Sequence, residues 1–149
     1  MNTKKESTTP DLMIFKIGAL HHRILRDCNR LFREKEFILE MDQVPVVLSL
    51  YYSGAASQQE ICAKLQRNKA SVNRTISFLY DKKLLSITQD IVDKRKTVIE
   101  LTSTGKKVAA QAHAILEKYN VALSGVFTKE EHKQFHQLLL KLTNPAISI

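Results

Sequence analysis

Two cysteines and five histidines are the residues of this chain with the widest chemistry open to them. His132 and His136 stand four apart, so a helix would place both imidazoles on one face, where they could supply two ligands to zinc. A zinc site needs a third and fourth ligand, and no Asp or Cys cluster completes the set. His21, His22 and His113 are read in the same way, as structural or surface histidines, and no metal is expected. Cys28 and Cys62 are too few for a disulfide framework or a cysteine-based zinc module. Cys28 falls in an apolar helical stripe, where a thiol behaves as a small hydrophobe, and reactivity would need exposure and an electropositive setting. Cys62, beside Ile61, reads as core. There is no Gly-rich phosphate loop, metal quartet or nucleophile–base arrangement, so no catalytic residue and no cofactor are predicted.

The basic residues carry more information. Between Lys64 and Lys107 stand eleven bases against four acids, a local charge of +7 in a chain whose total is +8. A merely solvated surface would spread that excess, whereas concentration in one segment points to a polyanion. Placed on a helical wheel, 68–83 puts Val72, Ile76 and Leu79 on one side and Ala70, Asn73, Arg74 and Ser77 on the other. Lys69 and Ser71 lie near the start. Small residues would let such a helix approach the DNA major groove, while Asn and Arg can make paired bonds to adenine and guanine. Further on, Asp93-Lys94-Arg95-Lys96 forms a second candidate, a basic turn able to insert Arg95 into a minor groove where negative potential is concentrated. Asp93 is expected to orient Arg95 through a charge-assisted bond, or else to make a turn with an exposed ion pair.

These residues need elements to hold them. Asp11 to Glu34 predicts a long amphipathic helix, with Ile14, Ile17, His21, Ile24, Cys28 and Leu31 stepping by three and four. Asp42 is the expected N-cap of a second helix, which tolerates Pro45 in its first turn and ends at Ser53-Gly54. Ser57-Gln58-Gln59-Glu60 has capping-box form, and Asn68 caps the helix that follows. The two short helices make a helix-turn-helix. The period then changes to that of strands at Leu85–Thr88 and Thr97–Leu101, joined by a polar connection over 89–96. A hairpin placed there is a wing. A second long helix starts near Ser103, with Val108, Ala112, Ile115, Tyr119, Ala122 and Val126 in sequence. Thr128-Lys129-Glu130-Glu131 opens the last helix, carrying Phe135, Leu138, Leu139 and Leu142, and Asn144-Pro145 stops it. The fold class is therefore mainly α with a small β-hairpin wing. One domain, 1–149, is expected, with 42–101 as winged helix-turn-helix and 11–34 and 103–144 as dimerisation helices. The polar segment 1–12 reads as a disordered arm. Two long apolar seams exceed what one small core can cover and suggest burial against a symmetry mate, the alternative being an intramolecular bundle.

Together these residues resemble the MarR family of bacterial transcriptional regulators. Ser57-Gln58-Gln59-Glu60-Ile61 is similar to that family's T-Q-x-E-L helix entry, and 68–74 to the start of its recognition helix. Asp93-Lys94-Arg95 matches its D-x-R wing signature, and Leu101-Thr102-Ser103-Thr104-Gly105 its L-T-x-x-G signature. The resemblance implies a homodimer with interlocked terminal helices that binds a pseudo-palindromic operator, commonly as a repressor released by a small ligand or oxidant. It also implies an effector pocket, Lys69 to Arg74 in the major groove, and Asp93 orienting Arg95 in the minor groove. Two positions depart from the pattern. Lys83 stands where the family commonly has Gly, and Ile87 where it has Arg, so the helix is expected to end without a Gly C-cap and one phosphate contact to be missing.

The expected partners are double-stranded DNA, a second copy of the chain and a small-molecule effector. No membrane segment is present in the sequence, and a cytoplasmic setting is expected. Competing readings are a winged-helix module for protein contact, which would not need the +7 cluster, and a sequence-neutral DNA binder working through phosphate charge alone. A redox- or metal-sensing regulator is a further variant.

Overall fold

The computed structural model describes residues 11–144; residues 1–10 of the expected N-terminal arm and the stop at Pro145 lie outside them. Six helices and one hairpin follow in order: α1 (Met13–Glu34), α2 (Val44–Ser53), α3 (Gln58–Leu65), α4 (Lys69–Asp81), β1 (Leu85–Gln89), β2 (Thr97–Leu101), α5 (Ser103–Ser124) and α6 (Lys129–Thr143). Their packing defines two compact units, one running to Ala112 and the other starting at His113.

Local chemistry sets most of the helix starts in the first unit. Ser57 and Glu60 form the reciprocal capping box, with the Ser57 N–H donating to Glu60 Oε2 at 2.7 Å and the Glu60 N–H to Ser57 Oγ at 3.2 Å. Each bond satisfies a backbone donor that the helix itself cannot. Asn68 Oδ1 accepts the Ser71 N–H at 2.8 Å and opens α4. The expectation for Asp42 is corrected: the N-cap of α2 is Gln43, which makes no side-chain cap bond. The Asp42 carboxylate instead accepts from Arg67.

Helix ends depend on left-handed residues other than glycine. After α4 the Lys83 N–H bonds to Tyr80 C=O at 2.8 Å and the Leu84 N–H to Leu79 C=O at 2.9 Å, a Schellman ending with Lys83 at φ +58°. The helix thus closes as a glycine-capped one would, at the cost of placing a Cβ in the left-handed region. Gln66, at φ +50°, ends α3 in the same way inside the helix-turn-helix.

The core of this unit draws on every element in it. Phe32 and Cys28 of α1, Val46, Val47 and Leu50 of α2, Ile61 of α3, and Val72, Ile76 and Leu79 of α4 are all buried. Leu85, Ile99 and Leu101 of the hairpin and Ala109 and Ala112 of α5 join them. β1 and β2 pair antiparallel from Leu85↔Leu101 to Gln89↔Thr97. Ala56 adds a bridge to Ile99, with N–H···O bonds of 3.0 and 2.9 Å, and fastens the hairpin to the loop before α3.

The segment Leu101–Gly105 locks α4, the hairpin and α5 together. The Thr102 hydroxyl donates to Lys83 C=O at 2.8 Å and accepts the Gly105 N–H at 3.0 Å, while the Thr102 N–H donates to Leu84 C=O at 3.0 Å. A Cβ at position 105 would lie 1.8 Å from the Leu84 carbonyl oxygen, so only glycine fits this close approach.

In the second unit Thr128 and Glu131 form the expected capping box, at 2.8 and 3.2 Å, and the rings of Phe127 and Phe135 stack 5.1 Å apart. No residue of α6 is buried. Val126 lies past the end of α5, outside the helical seam expected to include it.

Candidate nucleic-acid interface

The exposed and buried faces of α4 divide as helical spacing requires. Val72, Ile76 and Leu79 are buried together with Thr75, whose hydroxyl donates to the Ser71 carbonyl at 3.3 Å. Ala70, Asn73, Arg74 and Ser77 are exposed on the opposite side, and Lys69 is exposed at the helix start. Ser71 differs from them, being half-buried with its Oγ accepting from Arg67 Nη2 at 2.5 Å.

Arg67, one of the eleven bases counted between Lys64 and Lys107, is engaged within the fold. Its guanidinium also donates to the Asp42 carbonyl at 2.8 Å and to the Asp42 carboxylate at 2.9 Å. It therefore ties the turn of the helix-turn-helix to the residues just before α2 and to the first turn of α4. A planar fork of donors suits this three-way junction where a lysine would not. No pattern in the sequence links it to Asp42, 25 residues away.

At the wing the acids build the turn. Asp90 Oδ1 accepts the N–H groups of Val92 at 2.8 Å and Asp93 at 2.9 Å. Those bonds, Asp93 first, hold the Asp90 carboxyl below its ordinary pKa, so it stays ionised. Asp93 Oδ1 accepts the backbone N–H of Arg95 at 3.1 Å. The carboxylate thus holds the Arg95 main chain in a local Asx-type turn, as one of the two expectations had it, and among the described residues it makes no ion pair with the guanidinium. Lys94, Arg95 and Lys96 are all exposed, and the Lys96 ammonium adds a smaller pull to the lowered pKa values of Asp90 and Glu60. Ile87, in the place of a basic residue, is also exposed. Two residues were passed over as part of a polar connection: Ile91 and Val92 stand at the tip, 95% and 94% exposed.

Helix and wing meet at one groove of about 770 Å³ beside the start of α3. Lys69 from α4 and Arg95 and Lys96 from the wing border it, opposite Ser57, Gln58 and Cys62. The fold thus brings three of the predicted site residues, drawn from two segments of the chain, to one edge. Asn73, Arg74 and Ser77 continue along the exposed side of α4. Cys62 is half-buried, whereas Cys28 is fully buried and its thiol pKa is raised, first by burial and then by the charge of Asp27. Among the described residues no group of three or more His, Cys, Asp or Glu side chains could hold a metal ion, and no helix is long and apolar enough to cross a membrane.

Comparison with known proteins gives concordant matches. Residues 39–97 match the family model described as MarR family. A curated relative, the HTH-type transcriptional regulator BilQ of Clostridium symbiosum, is 25% identical over 127 residues, covering 83% of this chain and 88% of the relative. Among solved structures, Staphylococcus aureus MepR in complex with DNA superposes with a TM-score of 0.80 at 22% identity, covering 89% of this chain and 97% of that one. Bordetella bronchiseptica BpsR, whose DNA binding is described as regulated by 6-hydroxynicotinic acid, superposes with a TM-score of 0.70 at 24% identity, covering 87% and 99%.

Proposed function

We propose that this chain, whose residues 39–97 match the MarR family model, is a winged-helix transcriptional regulator of that family and no enzyme, a cytoplasmic repressor that binds a pseudo-palindromic operator as a homodimer. The observation that carries the proposal is the groove that Lys69, at the start of α4, borders together with Arg95 and Lys96 of the wing. In this reading α4 enters the major groove. Asn73 and Arg74 face base edges, while Ala70 and Ser77 are small enough for close approach. Lys69, at the helix start, faces phosphates, while Ser71 beside it is held by Arg67. Lys94, Arg95 and Lys96 reach the adjacent minor groove, on a turn shaped by Asp93.

Support for a dimer lies in apolar side chains that the described residues leave uncovered. Ile14 and Ile17 on α1 are 70% and 47% exposed, and Leu138 and Leu140 on α6 are 56% and 57% exposed. Apolar surface of this extent on both terminal helices is the kind a twofold mate covers. Release by a small ligand completes the reading. It is supported by the effector named for the Bordetella relative.

Titration of the full-length chain against random and promoter-region duplexes at two salt concentrations tests the proposal. Selective binding to one region, at least about a thousandfold over random sequence, is expected. Equal and steeply salt-dependent binding to every duplex would mean a sequence-neutral binder. No binding at low salt would remove DNA from the function altogether.

A further inference from the structure

The wing tip carries a feature that a phosphate-binding loop does not need. Ile91 and Val92 are almost fully exposed side by side, and neither contributes to the core. Turns ordinarily take Gly, Asn, Asp or Ser at such positions. The pair is also held firmly. Asp90 Oδ1 accepts from the N–H groups of Val92 and Asp93, the Asp90 N–H donates to Lys96 C=O at 2.9 Å, and the Lys96 N–H donates to Asp93 C=O at 2.9 Å. Lys94, Arg95 and Lys96 follow at once, all exposed. The tip is therefore an apolar point with a basic collar, fixed by its own backbone bonds.

A surface complementary to this tip has an anionic rim and an apolar floor. The minor groove of duplex DNA has both, and apolar side chains enter it by partly unstacking a base step and kinking the helix. Building on the DNA reading above, we propose that Ile91 and Val92 form a wedge that enters the minor groove beside Arg95 and opens one base step in each half-site. Operator choice would then depend partly on how easily that step opens, which favours pyrimidine–purine steps such as TA and CA at a position that no side chain reads by hydrogen bonding.

The test uses the full-length chain and a duplex that it has selected from a randomised pool, with 2-aminopurine placed at successive steps of the bound site. The wild-type chain should brighten one step in each half-site. The double variant Ile91→Ser/Val92→Ser should bind the same duplex about tenfold more weakly, give no brightening at saturation and lose the preference for TA or CA at that step. Its thermal midpoint should match wild type, because both side chains lie outside the core. Affinity within twofold of wild type, absence of brightening in the wild-type complex, or brightening retained in the variant would each overturn the wedge while leaving the DNA reading intact. Capture of the wild type, but not the variant, by phosphatidylglycerol vesicles would overturn it in favour of a lipid surface. If the wild-type chain selects no duplex at all, the DNA reading fails, and the wedge with it.

Discussion

Arg67 and Arg95 have the same side chain and are assigned opposite tasks. Arg95 is exposed at the wing with only its backbone N–H engaged by Asp93, while Arg67 is committed to Asp42 and Ser71. Arg95→Ala should therefore weaken DNA binding and lower the slope of log K against log salt by about one, the signature of a lost phosphate neighbour. Arg67→Ala should leave that slope unchanged and lower thermal stability by about 1 kcal/mol, since it removes hydrogen bonds from a charged group at a partly exposed junction. Salt-dependent titrations of both variants, paired with thermal melts, check this; equal slopes for Arg95→Ala and wild type would take the wing out of the mechanism. The Lys94–Lys96 run was legible in the sequence because local charge density survives folding. The inward turn of Arg67 was not, because its partner lies far along the chain. For Asp93 the turn was legible but its form was not, because an Asx turn and an ion pair call for the same residue types at the same spacing.

Elements were easier to foresee than their contacts. The capping boxes at Ser57 and Thr128 and the Asn68 cap are written within four residues each, and each stands where expected. The N-cap of α2 was misplaced by one residue, since an Asp just before a proline-started helix satisfies the pattern even when a distant Arg claims it. The end of α4 is the most instructive. The helix ends without a glycine cap, as expected, yet the 6→1 and 5→2 bonds form and Lys83 takes the left-handed conformation. Because Thr102 holds the Lys83 carbonyl, the geometry is enforced from outside the helix. Lys83→Gly should relieve that conformation and stabilise the chain by about 1 kcal/mol, raising the thermal midpoint by a few degrees. A lower midpoint would show that the lysine side chain has a compensating contact.

For the whole molecule, what the sequence conveyed was that apolar stripes on the terminal helices exceed the needs of one core. α6 has no buried residue and the first half of α1 is exposed, so those parts of the stripes account for surface, whereas Cys28 of α1 and Ala112 of α5 pack in the core of the first unit. Light scattering should accordingly give a mass near twice 17.0 kDa, and a value near that of one chain would remove the twofold mate from the account. The central claim is that the α4 face and the wing together read DNA as a symmetric pair. Hydroxyl-radical footprinting on the selected duplex tests it most directly. Two equivalent half-sites are predicted, with centres about ten base pairs or a multiple apart, each showing minor-groove protection that Arg95→Ala weakens. A single unpaired patch, or uniform protection independent of sequence, would contradict it.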